Sequence, residues 1–92
     1  MQKKKLNIKS KITNMFELPK EIVMNLPLIS ITGSEIVNIE NYKGVIEYSE
    51  DRVRVNTTSG VLKIEGRELV LKQITAEEIT VKGIITKLEY LM

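Results

Sequence analysis

Ninety-two residues accommodate one domain and leave no room for two. With neither cysteine nor histidine, the chain has no disulfides, thiolate nucleophiles or cysteine-ligated metals, and it lacks the commonest general base and transition-metal ligand. The formal net charge of +2 is unevenly spread: residues 1–20 carry six lysines against Glu17, whereas residues 21–92 carry eight basic and eleven acidic side chains.

Residues 1–27 read as a basic, helical N-terminal segment. Ile8, Ile12, Met15 and Phe16 recur at helical spacing, with Lys9 and Lys11 on other faces. Pro19 ends or kinks that helix near Leu18, and Lys20–Leu26 adds a further turn or two before Pro27. No apolar run after Lys3, Lys4 and Lys5 is long enough for a signal peptide, and none in the chain reaches the length of a membrane helix. The expectation is a soluble, intracellular protein.

From Leu28 the period changes to two, which assigns residues 28–92 to a β domain. Leu28–Thr32 precedes a Gly33-Ser34 turn, and Glu35–Glu40 sets Val37 and Ile39 on one face. After Asn41–Gly44, Val45–Ser49 is expected to set Ile46 and Tyr48 on one side. Arg52–Asn56 turns Val53 and Val55 inward, and Val61–Glu65 does so with Leu62 and Ile64. Gly66-Arg67 reads as a tight turn. It leads to Glu68–Thr75 with Leu69 and Leu71 inward, then Glu78–Lys82 with Ile79 and Val81, and finally Ile84–Leu91 with Leu88 and Tyr90.

About eight short strands thus follow one another with connections too short for helical crossovers. The fold class is mainly β: short N-terminal amphipathic helices, then an antiparallel meander curled into a small sandwich or roll. A β-solenoid is the alternative, because period-two alternation suits both. The core is aliphatic, with one Phe, three Tyr and no Trp in the chain.

Candidate chemistry is sparse. Lys3, Lys4 and Lys5, with the stripe Ile8, Ile12, Met15 and Phe16, form a possible contact for an anionic membrane surface or a protein partner. The bland reading is a basic tail and a helix covering the sheet. Nucleic acid is not favoured, because the only aromatic residue in this segment is Phe16. Glu50-Asp51 and Glu77-Glu78 read as solvated turn charges. All five glycines fall at or near strand ends and match no phosphate-cradling fingerprint, so they read as turn residues. Alternating charges such as Arg52, Arg54, Lys63, Glu65, Lys87 and Glu89 read as a solvated outer face that discourages edge pairing. No catalytic residue, cofactor or metal site is expected.

Several stretches taken together resemble the YqfC branch of the YabP/YqfC sporulation proteins. They are Ile39–Val45 (IENYKGV), Gly60–Gly66 (GVLKIEG), Glu77–Ile85 with Leu88-Glu89-Tyr90, and Leu18–Pro27 (LPKEIVMNLP) upstream. The resemblance implies a non-enzymatic protein of endospore formers, made in the mother cell and working in spore-envelope formation. It also implies a sporulation membrane protein as partner and a cytoplasmic location, peripheral at the forespore-surrounding membrane. No catalytic residues are known for the family, so none carries over. A self-assembling scaffold and a nucleic-acid-binding regulator are the rival functions, and homo-oligomerisation is open.

Overall fold

A computed structural model describes residues 25–92. The helical expectation for residues 1–24, and with it Lys3, Lys4, Lys5, Ile8, Ile12, Met15 and Phe16, lies outside the described residues. The described chain holds six strands: β1 (Leu28–Thr32), β2 (Ile36–Glu40), β3 (Gly44–Tyr48), β4 (Arg52–Thr57), β5 (Gly60–Lys72) and β6 (Glu78–Leu91). They form one sheet in the order β1-β2-β6-β5-β4-β3, and every neighbouring pair is antiparallel.

The expected mainly-β antiparallel architecture is therefore present, with two corrections. First, the topology is only partly a meander. Strands β3 to β6 follow one another across the sheet, but the β1–β2 hairpin joins at the far side of β6. The antiparallel ladder gives no support to a solenoid, whose coils stack in parallel. Second, the eight expected segments merge into six strands. Gly66-Arg67 is not a turn, and Gly83 does not end a strand; both lie inside long strands of 13 and 14 residues.

These two sites are where the sheet bends. The β5–β6 register slips between Glu65 and Gly66 and again between Arg67 and Val70. Each slip reverses the parity of the strand. Leu62 and Ile64 are buried on one side of the slips and Leu69 on the other. On β6 the buried Ile79 and Val81 give way to Leu88 and Tyr90, which pack against the same core. Glu68 takes φ 55° in the bulge, and Gly83 opposite has φ 148°. Only glycine fits there: a Cβ on Gly66 would lie 1.9 Å from the Ile84 carbonyl oxygen, and one on Gly83 would lie 2.7 Å from that of Glu68.

A bend interrupts the ladder and leaves backbone donors seeking partners. The two hairpin tips supply them in matching fashion. At the β3–β4 tip, the carbonyls of Asp51 and Glu50 accept from the Gly66 and Leu69 amides at 3.0 and 2.9 Å. At the β1–β2 tip, the carbonyls of Glu35 and Ser34 accept from the Gly83 and Ile85 amides at 3.0 and 2.8 Å.

The bend lets both halves of the sheet contribute to one core. Val37, Ile39, Leu69, Ile79 and Val81 from one half cluster with Val53, Val55, Leu62 and Ile64 from the other, all at most 1 % exposed. Each such side chain contributes about 1.5–3 kcal/mol through burial. Strand β3 departs from expectation. A register shift between Val45 and Glu47 places Val45 opposite Val55 and Tyr48 opposite Val53, so Ile46 and Tyr48 do not share a side in the way strict alternation requires. Ile46 and Tyr48 are both half exposed, and the Tyr48 hydroxyl donates to the Leu69 carbonyl at 3.2 Å.

Candidate functional site

The outer face of the sheet divides at the bend into two surfaces of different electrostatic character. On the half built from β3, β4 and the adjoining stretches of β5 and β6, the register lines up Glu47, Arg54, Lys63 and Glu89 in one cross-strand row. Arg52, Glu65 and Lys87 form the next. Arg54 Nε lies 2.7 Å from Glu47 Oε1, and Lys63 Nζ lies 2.9 Å from Glu65 Oε1 and 2.8 Å from Glu89 Oε1. Hydrogen bonding to Lys63 holds the carboxyl groups of Glu65 and Glu89 below their ordinary pKa, and the same bonds raise that of the Lys63 ammonium. The charges expected to alternate along the outer face do so, and they neutralise one another.

The other half carries a groove of about 470 Å³ lined by Ile36 and Asn38 of β2, Thr80 and Lys82 of β6, Lys72 at the end of β5, and Gln73 just beyond it. Its floor is a polar chain. Asn38 Nδ2 donates to Glu78 Oε1 at 2.9 Å and to Thr80 Oγ1 at 2.8 Å, and the Thr80 hydroxyl reaches Gln73 Oε1 at 3.5 Å. Thr80 is 7 % exposed, one of two buried polar residues in the described chain. Gln73 adopts φ 48°, which is uncommon outside glycine.

A smaller depression of about 310 Å³ lies at one end of the sheet, lined by Asn25, Asn41, Tyr42, Lys43, Thr58, Ala76 and Glu77. Backbone carbonyls of Asn25 and Leu26 are held there. The Thr58 hydroxyl donates to the Asn25 carbonyl, and Asn41 Nδ2 donates to the Leu26 carbonyl at 2.9 Å. The Tyr42 hydroxyl donates to the Thr75 carbonyl, which ties the β2–β3 link to the approach of β6.

Among the described residues no three carboxylates converge to hold a metal ion. No helix among them is long and apolar enough to cross a membrane. The acidic turn pairs divide in role. Glu50 and Asp51 are exposed and use their carbonyls at the bend. Glu78, read from the sequence as a turn charge, begins β6 and bonds to Asn38. The groove was missed in the sequence because its residues come from three strands, and their alignment depends on β2 pairing with β6.

Two comparisons bear on identity. The model of the YabP family matches residues 25–92, which contain all six strands. The chain belongs to the YabP family. A relative within reach of this YabP-family chain is the uncharacterized protein YqfC of Bacillus subtilis (strain 168). It is 34 % identical over 90 residues, covering 98 % of this chain and 97 % of the relative. The resemblance to the YqfC branch is thereby met, and the match to the relative extends over nearly the whole length, beyond the stretch matched by the family model.

Proposed function

We propose that this YabP-family protein is a non-enzymatic interaction module used in building the spore envelope, acting from the mother-cell cytoplasm with a sporulation membrane protein as partner. Membership of the family supports the sporulation role that the sequence resemblance implies. The observation that carries the interaction role is the open sheet. Its two outermost strands, β1 and β3, each have a single strand neighbour among the described residues. Strand β1 is uncharged and exposes Ile31, while β3 exposes Val45, Ile46 and Tyr48. Such edges are templates for an added strand, and natural sheets usually blunt them with charge or proline. The bulge on β3 twists that edge, but β1 keeps a regular five-residue register with β2.

The test is genetic and then biochemical. Deleting the gene from an endospore former should lower the titre of heat-resistant spores. Restoring it with Ile31→Lys, which puts a charge at a half-exposed position of the β1 edge, should restore less than the native gene does, provided the variant protein accumulates to the native level. Wild-type spore yield in the deletion strain would end the sporulation reading. Full rescue by the Ile31→Lys gene would remove β1 as the contact.

A further inference from the structure

The groove on the outer face has no role in the reading above, and its chemistry points to a ligand. In the antiparallel ladder Lys72 stands opposite Thr80, and Lys82 is two residues farther along β6. Diagonal neighbours of this kind are about 7–8 Å apart on one face, within reach of each other's flexible side chains. Both lysines line the groove, and neither has a carboxylate at ion-pair distance among the described residues. The contrast with the opposite half is sharp: there Arg54, Lys63 and Lys87 all have carboxylate partners. Two adjacent uncompensated cations above a concave surface concentrate positive potential there.

The floor of the groove is already ordered. Asn38 commits its amide nitrogen to Thr80 and Glu78, and Thr80 directs its hydroxyl at Gln73 Oε1. Gln73 lines the same groove as the two lysines and adds a neutral amide to it. Holding Gln73 at φ 48° costs free energy, and residues kept in such conformations cluster at sites of use. Glu40 and Glu78 face each other one row beyond Asn38, Thr80 and Lys72, and Glu78 bonds to Asn38, so Lys82 stands on the side away from both carboxylates. We propose that the Lys72–Lys82 end of this groove binds a phosphate group. Lysines act as point charges toward the several oxygens of a phosphate, whereas planar carboxylates are matched better by the fork of an arginine. The phosphate group comes either from a soluble phosphate compound or from the headgroup of an anionic phospholipid. The inference stands on the groove alone and does not depend on the sporulation role.

The experiment uses the full-length chain labelled with nitrogen-15 and titrated with sodium pyrophosphate at constant ionic strength. The expected result is saturable shifts of the Gln73, Thr80 and Lys82 amides. These should weaken at least about tenfold in the Lys72→Gln/Lys82→Gln double variant and persist in Lys87→Gln on the opposite half. Preserved spectral dispersion in each variant verifies folding. No saturable shift at the groove, or shifts equal in all three proteins, overturns the proposal. A second arm distinguishes the sources through co-sedimentation with phosphatidylglycerol and phosphatidylcholine vesicles. Loss of phosphatidylglycerol binding in the double variant assigns the groove to lipid. Vesicle binding unchanged by the double variant, together with lost pyrophosphate shifts, assigns it to a soluble compound.

Discussion

The two halves of the sheet share one core but differ on the outside. On the half containing β3 and β4, four cations and three carboxylates interleave across four strands, and the surface satisfies itself. On the half containing β1 and β2, a polar floor lies under two lysines that have no carboxylate at ion-pair distance among the described residues. Both surfaces are built from comparable alternating sequence. What separates them is which strand the register brings alongside: β4 brings Arg52 to Glu65, whereas β2 brings Asn38 to Thr80 and Ile36 to Lys82. One sheet therefore carries a self-neutralised outer face on one side of the bend and a polar groove on the other.

The bend that divides the halves is the most sensitive place to test this. Gly66→Ala should be the most damaging small substitution, because the new Cβ would collide with the Ile84 backbone rather than with a movable side chain. A loss of at least about 3 kcal/mol is expected by urea unfolding, a large share of the stability of a domain this size. Gly83→Ala should cost about 1–3 kcal/mol through its φ and the nearby Glu68 carbonyl. Gly44→Ala meets nothing within 4 Å and should stay within about 0.5 kcal/mol. Equal costs at Gly66 and Gly44 would mean that the halves are not joined by a tight bend.

Ile39→Ala and Ile64→Ala remove buried groups from opposite halves of one cluster. Each should cost about 2–5 kcal/mol while unfolding remains a single transition. If only half of the signal shifted in either variant, the halves would be separate cooperative units.

The self-neutralised face predicts a pH dependence. Glu65 and Glu89 have folded pKa values depressed by hydrogen bonds to Lys63, so their stabilisation is present above the ordinary value of 4.5 and is lost as pH falls through the depressed values. Lys63 is raised above its ordinary 10.5, so its contribution persists through neutral pH and disappears only as pH rises through that higher value. Urea midpoints measured from neutral to acid pH should fall less steeply in Lys63→Gln than in the native chain. Identical acid slopes would show that the row is too solvated to matter.

The smallest stability effect is expected where the ligand is proposed to bind. Lys72→Gln and Lys82→Gln remove exposed cations that have no ion-pair partner among the described residues, and each should change stability by no more than about 0.5 kcal/mol. A marked loss in either would reveal a structural role for these lysines and erase the contrast between the faces.

Much of the inner face was legible from the sequence. Val37, Ile39, Val53, Val55, Leu62, Ile64, Leu69, Ile79 and Val81 were all read as inward, and all are buried, because a two-residue period records which side chains leave water. Gly66 and Gly83 were misread because a glycine at a turn and one in a bulge leave the same local trace; both relieve backbone crowding. The groove was not legible at all, since none of Asn38, Lys72, Gln73, Thr80 and Lys82 announces its neighbours.

Alternation by itself fixed an aliphatic β domain with one wet and one dry face, since burial of each side chain follows from local parity. The strand order, the fusion of four expected segments into two bent strands, and the placing of Lys72 and Lys82 along one groove with Thr80 were decided only by tertiary structure. The reason is physical: bulges reset parity, and long-range pairing brings together residues whose separation along the chain carries no information about their distance in space.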